Sequence, residues 1–242
     1  MGSANGALAQ VNIETLRDVS SEERVATAID VRLAYRTGNV DHSKLDLDVR
    51  TDLRTDRSHS FVLLRGGVGL LGGERFANEG LAHVRLMYGS GRAAVEAFTQ
   101  GDYDKARKLD ARALAGGGIR LTVYRAARRI VAVGSSWMLE HEQYDLDRSA
   151  RHPARNTVHR WSNYVVVRRG FGSAASLSWT AYAQPRFDAF DDLRVLADAT
   201  LGVGITATLA MTTTFHLRYD SKPPDDIEDL DTALASGLQI TF

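Results

Sequence analysis

Residues 43–56 read SKLDLDVRTDLRTD. Leu45, Leu47, Val49, Thr51 and Leu53 alternate with Lys44, Asp46, Asp48, Arg50, Asp52 and Arg54. Successive side chains of a strand point to opposite faces. Alternation sustained over this length therefore predicts a strand with one apolar face and one face made almost wholly of charge. The fold turns on which face meets water. A soluble sheet buries its apolar face. A membrane barrel turns that face to lipid and keeps the polar face inside.

The same alternation recurs along the chain. It predicts twelve strands, at roughly 24–37, 43–55, 59–71, 77–89, 91–103, 107–123, 128–142, 155–169, 173–185, 192–204, 207–220 and 232–242. Most match or exceed the roughly 9–11 tilted residues that cross a bilayer. Leu193, Val195, Ala197, Ala199, Leu201, Val203 and Ile205 form one face of the tenth strand, opposite Arg194, Asp198 and Thr200. In the eleventh, Leu209, Met211, Phe215, Leu217 and Tyr219 oppose Thr212, Thr214, His216, Arg218 and Asp220. The eighth, NTVHRWSNYVVVRR, has no clear face. The connections alternate as well: the longest, about 143–154 and 221–231, fall on one side, and tight turns fall on the other. Short turns opposite long loops is the outer-membrane pattern.

The chain of 242 residues has no cysteine and balances 30 basic against 30 acidic side chains. Disulfides, thiol catalysis and cysteine-held metals are excluded, and balanced charge argues against non-specific nucleic-acid binding. No apolar run reaches the length of a membrane helix, which leaves a barrel untouched. Ala7-Leu8-Ala9 followed by Gln10 resembles the end of a signal peptide. Residues 1–10 are expected to be a signal-peptide remnant or an added tail, residues 11–23 a polar periplasmic segment, and residues 24–242 the barrel.

Three features turn the apolar faces toward lipid. Ala111, Ala113, Ala115 and Gly117 occupy the apolar face of the sixth strand, where a packed soluble core would want larger residues. Tyr35, Tyr88, Tyr103, Trp137, Tyr219 and Phe242 fall on apolar faces near expected strand ends, where interfacial girdles sit. The last strand places Leu234, Leu238, Ile240 and Phe242 on one side, a terminal pattern suited to the barrel-assembly machinery. The fold expected is an all-β, 12-stranded antiparallel transmembrane β-barrel of the outer-membrane type.

The stretch RTGNVDHSKLDLDVRTDLRTD resembles the first hairpin of a bacterial family described as salt-induced outer-membrane proteins, of unknown function (domain of unknown function 481). Residues 96–121, 137–145 and 182–224 carry the same resemblance, with the Gln-Pro-Arg-Phe and Arg-Tyr-Asp-Ser-x-Pro-Pro blocks the most specific. It covers about 24–242 and is weakest over 143–158. It implies a Gram-negative outer-membrane barrel and a role in the envelope under osmotic stress. It implies no catalytic residue.

The inward charges expected are, from the first two strands, Asp30, Arg32, Lys44, Asp46, Asp48, Arg50, Asp52 and Arg54. Arg85, Glu96, Arg112, Arg120 and Glu140 follow, then Arg194, Asp198, His216 and Arg218. Arg65, His83, Asp102, Lys108, Asp110, Glu142 and Asp220 share their parity. Both signs interleave. This predicts a narrow, mixed-charge pore for passive diffusion of ions or small solutes, with the lipid bilayer as surroundings and no cofactor. One alternative is a non-conducting structural barrel held by salt bridges. A second is a lipid-modifying enzyme, needing a serine and a histidine adjacent across strands near a rim. Ser135 and His141, six apart on one strand, are about 20 Å apart and cannot pair. Glu140, His141, Glu142 and Asp145, with the acids of 221–231, lack a calcium-loop signature.

Overall fold

The structure, a computed structural model, describes residues 24–38, 41–172 and 174–241. The expectations resting on residues 1–10, on 11–23 and on Phe242 lie outside them. Among the described residues the first six strands are β1 Val25–Arg36, β2 His42–Arg54, β3 Ser58–Leu71, β4 Glu74–Ser90, β5 Ala93–Asp104 and β6 Leu109–Ala126. The rest are β7 Arg129–Tyr144, β8 Arg155–Phe171, β9 Ala175–Pro185, β10 Leu193–Gly204, β11 Leu209–Asp220 and β12 Leu230–Thr241. Each pairs antiparallel with its sequence neighbours, and β12 returns to β1, closing a 12-stranded barrel. Closure removes the sheet edges that long strands would otherwise expose.

The alternation becomes two solvents. In β2, Asp46, Asp48, Arg50 and Asp52 are buried, whereas Leu45, Leu47 and Leu53 are exposed. Leu33, Leu86, Ile119, Met211 and Leu234 are exposed in the same way on other strands. An outer wall of this apolar character requires lipid, not water. Polar groups on that wall satisfy one another. The Trp161 indole donates to Ser135 Oγ at 2.8 Å, and Ser135 donates to Asn163 Oδ1 at 2.9 Å. In hydrocarbon an unmet donor would cost several kcal/mol. Trp137, expected near a strand end, instead lies mid-way along β7, paired in register with Trp161. It stacks on His159 at 5.5 Å, so it belongs to this polar patch and not to a rim girdle.

The two rims differ. One carries residues 145–154, 186–192 and 221–229 together with the short 3-10 turn Lys105–Arg107; it is termed the loop rim. The other carries the tight connections 55–57, 91–92, 127–128 and 205–208, and β8 ends and β9 begins there; it is termed the turn rim. β1 begins and β12 ends at the turn rim. A bulge between Leu109 and Ala111 shifts the start of β6. Lys108 and Asp110, expected inside the lumen, therefore sit at the loop rim: Lys108 is the left-handed cap of the 3-10 turn, and Asp110 pairs with Lys105. The closing seam is short. Among the described residues β1 and β12 meet over four pairs, from Ala28 with Thr241 to Val31 with Leu238.

Candidate functional site

The lumen holds the charges. Asp30, Arg32, Asp46, Asp48, Arg50 and Asp52 of the first hairpin are buried, with Lys44 and Arg54 half-buried on the same face. Arg85, Glu96, Arg112, Arg120 and Glu140 are buried from β4 to β7. Arg194, Asp198, His216 and Arg218 are buried on β10 and β11. Buried charge is tolerated only when paired or hydrogen-bonded, and the partners divide the lumen into three levels.

The level nearest the loop rim is a weave of ion pairs. Arg112 holds Asp102 at 2.6 Å and approaches Glu142 at 3.7 Å. Arg160 holds Glu140 at 2.9 Å and Asp192 at 3.0 Å. Arg194 joins Glu140 at 2.7 Å, Glu142 at 2.8 Å and Asp220 at 2.8 Å. Arg194 stands on β10 and Glu140 and Glu142 on β7, so these bonds pass over β8 and β9 and bridge the lumen itself. A second group lies deeper, midway along the strands of the first hairpin and their neighbours. Arg65 holds Asp48 at 2.5 Å, Arg32 holds Asp48 at 2.9 Å and also meets Asp30, and Thr212 donates to Asp30 at 2.8 Å from across β12. His216 pairs with Asp198 at 2.8 Å. Arg218 is buried, and its Nε and Nη1 find no hydrogen-bond partner among the described residues.

The middle level is a septum. Tyr164 on β8 donates to Glu96 on β5 at 2.8 Å, over two intervening strands. Glu96 also accepts from Ser136 at 2.9 Å and from Arg85 at 3.2 Å, and Arg120 donates to the Tyr164 hydroxyl at 3.1 Å. Apolar side chains pack around this knot: Phe98, Leu114 and Met138 on one side, Val166, Tyr182 and Leu196 on the other. His59, Phe61, His83 and Phe98 form a ladder of rings 5.7–6.2 Å apart. Arg50 lies over Phe61 at 3.7 Å, a cation–π contact. The wall makes room for the septum at Gly134, where an added Cβ would stand 2.2 Å from the Tyr164 ring.

Toward the turn rim the lumen widens into a cavity of about 1310 Å³, lined among others by Arg54, Arg120, Arg168, Ser178 and Gln239.

The loop rim is covered. Loop 221–229 reaches three other connections. Lys108 donates to Asp226 at 3.0 Å, the His152 backbone N–H donates to Asp225 at 2.8 Å, and Lys222 pairs with Asp191 at 3.1 Å. Arg107 spans the mouth to Asp231 at 3.6 Å. Burial lowers the Arg107 guanidinium from its ordinary value, opposed by Asp104 and Asp231. The His152 backbone N–H and then Arg151 hold the Asp225 carboxyl below the usual carboxylate range. The Arg186 guanidinium does the same for Asp188.

Ser136 faces the lumen and binds Glu96, whereas His141 is exposed on the outer wall and meets Thr157 at 2.7 Å. The two are on opposite faces of β7. Among the described residues no group of three histidines or carboxylates is placed to hold a metal.

Sequence reasoning passed over much of this interior. Arg160 lies on the strand whose faces could not be read. Its inward residues are Val158, Arg160, Ser162, Tyr164 and Val166, and its outward ones include Thr157, His159 and Asn163. Polar and apolar residues occur on both faces, so no pattern marks the lumen. Phe61 and Leu63 were missed because β3 is apolar on both sides. Asp192 was missed because it stands outside the strands.

Among solved structures, the chain is similar to the NanC porin, at 10% identity and a TM-score of 0.53, covering 88% of this chain and 98% of that one. It is also similar to the COG4313 outer membrane channel from Pseudomonas putida F1, at 12% identity and a TM-score of 0.54, covering 90% and 94%. At such identities the likeness is one of fold, a barrel of the outer-membrane type. Comparison with curated protein sequences finds no match. The family model for the protein of unknown function DUF481 matches residues 29–242, nearly the whole described barrel, and the chain belongs to that family.

Proposed function

We propose that this chain is a Gram-negative outer-membrane barrel that passes ions and small solutes through a narrow, charge-lined lumen. The carrying observation is the inner face, charged on both sides of an aromatic and apolar septum, inside a wall that is apolar outside. Twelve strands fall between the filled eight-stranded barrels and the open sixteen-stranded porins. The Glu96–Tyr164 bond is the constriction on this reading, and the mixed charges above it sort what passes. The bilayer surrounds the wall, and assembly runs through the terminal strand.

Planar-bilayer recording of the refolded chain tests this. Small, steady, discrete openings are expected, and Tyr164→Ala is expected to enlarge them several-fold. A silent bilayer from protein shown to be folded by heat-modifiable gel mobility would sink the channel. It would leave the second reading, a non-conducting envelope barrel, which the bonds across the lumen favour. A lipid-modifying enzyme would need a serine and a histidine together at one rim; Ser136 and His141 occupy opposite faces.

A further inference from the structure

Ion pairs of both signs run along the lumen as far as Asp52 with Arg50 and Glu96 with Arg85, but the rim beyond them is different. Among the described residues, the cavity at the turn rim is lined by nine arginines and one carboxylate, Asp56. β2 and its turn give Arg54 and Arg57, and the β4–β5 turn gives Arg92. β6, the following turn and β7 give Arg120, Arg125, Arg128 and Arg129. β8 gives Arg168 and Arg169. No lysine is among them. The chain as a whole is neutral, so this is segregation of charge and not an excess of it. Concentrating like charges around one concave space costs free energy through self-repulsion and raises the local concentration of counter-ions. The guanidinium fork also binds carboxylate and phosphate oxygens in pairs, which an ammonium does not.

A second observation points the same way. The Ser178 hydroxyl lines this cavity, is 7% exposed, and has no hydrogen-bond partner among the described residues. Buried hydroxyls are ordinarily satisfied. Beside the arginines, this one is placed to donate to an anionic oxygen. The space, about 1310 Å³, exceeds the roughly 300–1,000 Å³ of a typical ligand pocket. A single small anion neither fills it nor offsets its charge.

We infer that the turn-rim vestibule is a binding site for a compact, multiply charged anion bearing phosphate or carboxylate groups. The site lies on the opposite side of the septum from the ion-pair weave, so its ligand enters from the turn rim. The inference goes beyond conduction: binding is measured without a voltage, and a silent bilayer leaves it standing.

The test is calorimetric titration of the full refolded chain, in neutral detergent, with inorganic tripolyphosphate. One saturable equivalent per barrel is expected, weakening steeply with added salt. Arg125→Ser/Arg128→Ser/Arg129→Ser is expected to weaken binding by tenfold or more, and Ser178→Ala by a few-fold. Lys105→Ser/Arg151→Ser/Lys222→Ser at the loop rim should leave it unchanged. Arg92→Ser, in a different turn, gives a several-fold loss that does not depend on the triple variant folding. Absence of saturable binding, or equal losses from the two triple variants, overturns the site. A repeat in nanodiscs containing phosphatidylglycerol separates soluble from lipid ligands. Unchanged affinity supports a soluble anion; loss of the titration there shows that headgroups occupy the arginines and overturns it.

Discussion

In the loop-side half of the lumen Arg112, Arg160 and Arg194 are each held by carboxylates at 2.6–3.0 Å, shared among six strands and the β9–β10 loop. At the turn rim Arg57, Arg92, Arg125, Arg128 and Arg129 line a cavity with a single acidic neighbour among the described residues, Asp56. The residue type is the same and the work is different. Desolvated and paired, arginine ties the wall together across the lumen. Exposed and surrounded by its own kind, it sets a potential. Charge in a barrel interior is therefore a structural material where it is paired and a field where it gathers at the rim.

The largest effect that would break this contrast is on stability. Arg194→Ala leaves Glu140, Glu142 and Asp220 buried with a cation removed, and breaking such a pair costs about 3–5 kcal/mol. Arg128→Ala at the exposed turn is expected to change stability by less than about 0.5 kcal/mol. Urea titrations read by heat-modifiable mobility compare them; equal losses would erase the distinction. Next comes the boundary between the halves. Gly134→Ala drives a methyl into the Tyr164 ring and is expected to cost about 1–3 kcal/mol, the range for overpacking. Its channels should be noisier than those of the parent protein. Tyr164→Phe keeps the ring and deletes the bond to Glu96. A loss of about 1–3 kcal/mol is expected for the buried acceptor left behind, with conductance raised less than in Tyr164→Ala.

The smallest effect is at the mouth. The Asp225 carboxyl is held below its ordinary value by the His152 backbone N–H. A depressed folded value means that the contact stabilises the loop above the unfolded value, about 3.9, and is lost as pH falls through the lowered one. Loop 221–229 is thus expected to stay latched at pH 5–8 and to loosen below about pH 4. Protease cleavage within it should rise there, and Asp225→Ala should show the same cleavage at pH 7. Acid cleavage that leaves Asp225→Ala resistant at pH 7 would sink the latch.

Much of the barrel was legible because period-two alternation records a wall between two solvents, as Leu45 to Leu53 against Lys44 to Arg54 shows. The loops read correctly for a simpler reason: Pro, Asp and Ser cluster between 221 and 231. The interior was less legible. Nothing in the sequence says that Arg194 reaches β7, because bonds across a lumen join residues that share no periodicity. The RAAR turn at 125–128 reads as a tight connection, and only closure of the ring gathers it with Arg54 and Arg168 around one cavity. Where the two faces resemble each other, in β3 and β8, alternation carries no information and Phe61, Arg160 and Tyr164 disappear from view.

The seam has a kinetic consequence. Eleven strand contacts join neighbours in sequence and can form by local hairpin zippering. The twelfth joins Ala28–Val31 to Leu238–Thr241, and its ends are brought together only after the longest loop in the chain has been closed. Among the described residues it gains the fewest strand pairs for that entropy. Closure is therefore the final and most reversible event of assembly. Amide exchange should be fastest along β1 and β12, where the ring also comes apart first under load.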